Sequence, residues 1–176
     1  MVVNPTMRTT PILLIAATLI ASGCQSGQTG SVPVKTDNVA VNFHEADKFT
    51  DVRETFGSNP SEFYLEQLSE HLQRKASDRL PPGQKLTVTF TDIDLAGDFL
   101  PTNVKMQDVR IIKEIYMPHM ALNFKITDAD GRVIKEGVRK LTDMNFMGKI
   151  GLIGRDQPLY YDKELLSDWI NKELRS

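Results

Sequence analysis

Aspartates and histidines are the residues whose types and spacing could do chemistry in this sequence. Asp92, Asp94 and Asp98 stand at alternate and four-residue spacing within TDIDLAGD, a carboxylate set of the kind that serves a hydrolase or holds a cation. Asp128, Asp130 and Gly131 echo the start of a calcium loop. A loop of the EF-hand type needs further oxygen ligands and a closing glutamate at set offsets. Here the chain runs on as RVIKEG, so Asp130-Gly131 reads as a hairpin turn. His44, His71 and His119 have no second ligand at zinc-binding spacing, and the single cysteine, Cys24, stands far from all of them. They are expected to be solvated or partly packed, His71 near the polar side of a helix. There is no G-x-S-x-G nucleophile turn. No catalytic residue, metal or cofactor is therefore assigned. The alternative to a non-enzymatic protein is an envelope hydrolase or metal-dependent enzyme using the Asp92/Asp94 region.

MGKIGLIGRDQP repeats glycine at 148, 151 and 154. A phosphate loop requires Gly-Lys-Ser or Gly-Lys-Thr opening a helix, whereas Lys149 is followed by Ile150. Met147, Ile150, Leu152 and Ile153 in this loop either tuck into the core or form an exposed apolar patch that a partner covers. The methionines of the second half (Met106, Met117, Met120, Met144 and Met147) are read as gap-filling core residues rather than soft-copper ligands.

The elements that must position these residues follow a separate leader. The 176 residues include 21 basic and 23 acidic side chains, a formal charge of -2, which excludes the basic face nucleic acid requires. Arg8, the apolar run Pro11 to Ile20 and the small residues Ala21, Ser22 and Gly23 have the order of a secretory signal. The apolar run is too short to span a bilayer about 30 Å thick. Met7 is an alternative start to Met1. Ala-Ser-Gly-Cys resembles a bacterial lipobox, with Ala21 where leucine is usual. On that reading Cys24 is the acylated first residue of the mature chain, and a lone cysteine needs no disulfide partner. Gln25 after it favours the outer membrane by the sorting pattern of proteobacterial lipoproteins. The expected location is the periplasmic face of the envelope, anchored through acyl chains on Cys24. A soluble periplasmic protein is the alternative. Residues 1–23 are thus a signal peptide and 24–37 a polar tether spanning on the order of 20 Å. Residues 38–176 form a single domain.

Within that domain, Val39, Val41 and Phe43 alternate as a first strand. SNPSEFYLEQLSEHLQRKAS predicts a long helix capped by Asn59, with Pro60 at its first position and Leu65, Leu68, Leu72 and Ala76 on one face. Leu86, Val88 and Phe90 share one parity and Ile93 and Leu95 the other, which predicts a bulge near Thr91-Asp92. VRIIKEIYM reads as a strand. A hairpin follows, with Met120, Leu122, Phe124 and Ile126 inward. A last helix from about Asp162 to Leu174 buries Leu165, Leu166, Trp169 and Ile170. The order predicts an α+β domain: a largely antiparallel sheet, a long helix after the first strand and a C-terminal helix packed on it.

VAVNFHEADKFTDVR, LPPGQKLTVTFTDIDLAGDF, DVRIIKEIYMPHMALNFKI, RKLTDMNF and YYDKELLSDW together resemble the domain of unknown function 3016 family of secreted proteobacterial proteins. The resemblance runs from about Val39 to Trp169 and implies an envelope location, without naming an activity. The polar residues of these segments are Asp51 and Arg53, Asp92 and Asp94, and Asp143 and Asn145. If a shared site exists, these should converge. The turn-forming alternative has Asp51 and Asp143 capping turns and Arg53 pairing with one of them. The functional expectation is a lipid-anchored, non-enzymatic cell-envelope protein whose domain binds a periplasmic protein.

Overall fold

The computed structural model describes residue 1 and residues 37–99, 109–148 and 157–174. The chain divides into two units, Met1–Pro33 and Val34–Ser176, and every described element belongs to the second. Cys24, Ile150, Leu152 and Ile153 lie outside the described residues.

Strand β1 (Val39–Phe43) is followed by a 3-10 turn at Ala46–Lys48, and only then by helix α1 (Glu62–Ser77). The helix begins after Ser61, not Asn59. The Ser61 hydroxyl accepts from Tyr64 N at 3.0 Å and donates to Glu54, while Ser61 N donates to Val52 O. That fully bonded cap satisfies orphan donors of the first turn and outcompetes the upstream Asn-Pro signal. Arg74 and Lys75 in the last turn suit the negative end of the helix dipole. Leu68, His71, Leu72 and Ala76 form the buried stripe.

Strand β2 (Lys85–Asp94) is parallel to β1, with α1 as the crossover. Strands β3 (Asp98–Phe99) and β4 (Arg110–Ile111) make a separate small antiparallel pair. Strands β5 (His119–Thr127) and β6 (Val133–Thr142) form the expected hairpin, and the sheet order is β1-β2-β5-β6. Two of its three pairings are antiparallel and one is parallel. The predicted strand VRIIKEIYM contributes only Arg110–Ile111, because the chain turns directly afterwards, where Tyr116 N donates to Lys113 O.

The parity change in β2 is a bulge. Phe90 faces Leu122 and Asp92 faces Ala121, leaving Thr91 as the extra residue. Its effect is to turn Ile93 and Leu95 into the core and to set Asp92 and Asp94 on the opposite face. Helix α2 (Tyr160–Glu173) starts two residues before the expected Asp162 and buries Leu165, Leu166, Trp169 and Ile170. Both helices and the inward strand residues share one apolar cluster around Phe90, Leu122 and Leu166. The Phe124 and Trp169 rings meet edge-on at 5.8 Å between centroids.

Among the described residues no helix is long and apolar enough to cross a membrane.

Candidate functional site

The bulge and the segment after β1 bring three of the expected polar residues to one end of the sheet. Asp51 makes an isolated parallel bridge to Asp94, its N–H donating to Ile93 O at 2.9 Å and its carbonyl accepting from Leu95 N at 3.1 Å. The Asp51 side chain is buried and faces two arginines. Oδ2 lies 2.9 Å from Arg110 Nη1, and Oδ1 accepts from Arg53 N and Nε, both at 3.2 Å. Burial alone would raise the Asp51 pKa, but the hydrogen bond and charge of Arg110, with the Arg53 donors, hold it below the ordinary carboxylate value.

Arg110 organises the surrounding backbone. Nη1 also donates to Gly97 O at 3.0 Å, Nη2 donates to Arg53 O at 2.9 Å, and the guanidinium lies 4.5 Å above the Phe99 ring. Gly97 permits that approach. Its φ is +86°, and a Cβ there would stand 2.6 Å from Ile112 Cδ1 and 2.9 Å from Ile111 O. Arg110 also lines a cavity of about 180 Å³ with Tyr64, Tyr160, Tyr161 and Asp162. Asp162 is 2% exposed and accepts from Ala96 N at 3.0 Å. Burial pushes its carboxyl up to about 6, against the pull of the Ala96 N–H and the Arg110 charge.

Against this scaffold lies a cleft of about 300 Å³ lined by Thr50, Asp51, Arg53, Asp94, Tyr116 and His119, with apolar Ile115 and Met117. His119 Nδ1 is 3.8 Å from Asp94 Oδ2, since the two residues are paired across β2 and β5. Burial pushes the Asp94 carboxyl up, Asp51 and Asp92 add to this, and His119 opposes it. The cleft thus presents the Arg53 guanidinium, the carboxylates of Asp51, Asp94 and Asp98 and the His119 imidazole beside apolar side chains. Ile115 is 71% exposed.

The other expected residues lie elsewhere or are engaged in the fold. Asp92 does not line the cleft; its Oδ1 accepts from Thr50 N at 2.8 Å and its Oδ2 from Thr50 Oγ1 at 3.0 Å. Asp143 Oδ1 accepts from Asn145 N at 3.0 Å, closing the turn after β6. Asp143 lines a different cleft with Trp169 and Asp168 between β6 and α2. Met147 is half-buried, and Asn145 is exposed. No group of three or more metal-ligating side chains occurs among the described residues.

Sequence reasoning missed the residues that matter most to the scaffold. Arg110 carried no motif, though it is a lone arginine between apolar residues. Asp162 entered only as the approximate start of the last helix. His71 was expected near the polar side of α1 and is instead 7% exposed, with Nε2 2.8 Å from Ser167 Oγ. Burial lowers its pKa to about 4, helped by the charges of Arg74, Lys75 and Lys163. Helical spacing put the residue at the stripe's edge, and only the docking of α2 covers it.

A family profile described as "Protein of unknown function (DUF3016)" matches residues 37–172. No curated protein matches the chain. Among solved structures, a minor lipoprotein of Acinetobacter baumannii is similar at 11% identity and a TM-score of 0.27, over 78% of this chain and 88% of that chain. A likeness so distant carries no weight for function.

Proposed function

The chain belongs to the DUF3016 family of proteins of unknown function, and we propose that it is a lipid-anchored component of the cell envelope that binds a periplasmic protein. The anchor is Cys24, acylated after removal of residues 1–23, with 24–37 as the tether and the outer membrane as the destination. Several acyl chains on one residue make a lasting anchor, since each buried methylene contributes about 0.8 kcal/mol. The binding site is the cleft at the end of β2, where Arg53, Asp94 and His119 supply polar contacts and Ile115 and Met117 the apolar ones.

One observation carries the preference for binding over catalysis. Two of the carboxylates that a hydrolase or metal-dependent enzyme would need are engaged in the fold, Asp92 by Thr50 and Asp51 by Arg110 and Arg53, which leaves Asp94 without a second catalytic carboxylate of the Asp92/Asp94 pair. What remains open in the cleft is a charge-mixed surface beside an exposed isoleucine, suited to a polypeptide segment.

A photoreactive residue at Ile115 in the full chain, compared in living cells with one at Lys75 on α1, tests the site. The expected result is a discrete crosslinked species from position 115 only, diminished by Arg53→Ala. Equal products from both positions, or none from 115, overturn the assignment. For the anchor, Cys24→Ser should move the protein from the membrane to the soluble fraction, and unchanged fractionation rejects it.

A further inference from the structure

We propose that β6 is a self-association edge, onto which a second copy of this chain adds its own β6 antiparallel about a two-fold axis through Val138. Among the described residues β6 ends the sheet, so the outward N–H and C=O groups of this strand form a template for another strand. Val138 is 66% exposed and stands on the face away from the helices.

Charge complementarity selects the occupant and the register. A two-fold axis normal to the sheet continues each face across the junction, so residues of the same parity stand opposite one another. With the axis at Val138, Glu136 faces Lys140 of the second copy and Val138 packs on its equivalent. On the helix side Gly137 faces Arg139 and Lys135 faces Leu141, so no like charges meet. The nearest alternative axes fail on this count. An axis at Gly137 opposes Lys135 to Arg139, one at Arg139 opposes that residue to itself, and one at Glu136 does the same for the glutamate.

Pairings inside the chain point the same way. Within its own sheet Glu136 stands opposite Lys125, whereas Lys140 stands opposite Ala121 and has no acid across from it. The second copy supplies one. On the other face both cations already share one acid: Lys135 Nζ is 2.7 Å from Glu173, and Arg139 bonds both Glu173 oxygens at 2.9 Å. Arg139 reaches Glu173 across the Phe124 ring, in space that Gly137 leaves free, since a Cβ there would stand 2.8 Å from Arg139 Nη1. The junction is thus prepared on one face and made selective on the other.

The test mixes isotopically light and heavy full-length protein in non-ionic detergent and treats it with a zero-length carbodiimide. Four residues along a strand span about 13 Å, too far for an amide bond between Glu136 and Lys140 of one copy. A light–heavy peptide joining these two residues is therefore expected only from pairing between copies. Glu136→Lys should weaken the dimer measured by sedimentation about tenfold or more. Glu136→Lys combined with Lys140→Glu should restore it, which separates lost pairing from a folding defect. A monomer at all concentrations, a dimer indifferent to Glu136→Lys, or crosslinks from β6 to a different protein overturn the proposal.

Discussion

Arg110 Nη1 and Asp51 Oδ2 lie 2.9 Å apart, with both side chains largely withdrawn from water, and the same guanidinium binds the carbonyls of Gly97 and Arg53. A single side chain thereby ties the segment after β1, the turn after β2 and strand β4 into one rigid floor for the cleft. Arg110→Ala should destabilise the domain by about 2–4 kcal/mol, because it leaves the buried Asp51 carboxylate with only the more exposed Arg53 as its cation. Arg110→Lys keeps the charge without the planar fork and should lose less. Urea unfolding of both variants checks this, and a lysine variant as stable as the parent would discard the fork.

Gly97→Ala should be costly where Gly57→Ala is mild. Both glycines have positive φ, but a Cβ at 97 meets Ile112 and the Ile111 carbonyl while one at 57 meets nothing within 4 Å. Backbone strain alone is worth on the order of 1 kcal/mol, and overpacking adds about 1–3 kcal/mol at position 97 only. The difference in urea midpoint between the two variants measures it.

His71 and Asp162 should oppose each other in the pH dependence of stability. His71 takes up its proton at 6.5 when unfolded and at about 4 when folded, so its contribution is lost as pH falls from 6.5 towards 4. Asp162 titrates at 3.8 unfolded and about 6 folded, so its contribution is present below 3.8 and lost as pH rises through 6. Each slope is worth on the order of 3 kcal/mol across its window. The parent should therefore look nearly flat between pH 4 and 6. Asp162→Asn should uncover stability that rises with pH, and His71→Gln stability that falls. Asp94, also raised by burial, adds to the sense of Asp162. Denaturation at half-unit pH steps decides it.

Asp92→Ala should cost about 1–2 kcal/mol through loss of the two Thr50 hydrogen bonds. It should leave crosslinking from position 115 intact. Loss of the crosslink at unchanged stability would move Asp92 from the scaffold into the binding surface.

Much of the fold was legible in the chain because hydrophobic periodicity reports directly on which face is buried. The parity switch at Thr91-Asp92 predicted a real bulge, and the hairpin and the buried face of α2 followed from alternation and helical spacing. Errors came where local signals competed with distant partners. Asn59-Pro60 is a sound start signal, yet Ser61 is the cap because Glu54 and Val52 complete its hydrogen bonds. VRIIKEIYM has strand composition but only two residues of it find a strand to pair with.

The candidate site divides in the same manner. Residue types marked Asp51, Arg53, Asp92 and Asp94 as polar groups worth following, and the alternation of β2 set Asp92 and Asp94 on the face opposite Ile93. Which of them opens to a cleft was decided by contacts between residues far apart in sequence. Arg110 claims Asp51, Thr50 claims Asp92, and His119 arrives beside Asp94 only through the β2–β5 register. Periodicity is a local property and is written along the chain. The burial and pairing of a charge depend on what the fold brings to it from elsewhere, so only the tertiary structure distinguishes a scaffold carboxylate from one left open to a cleft.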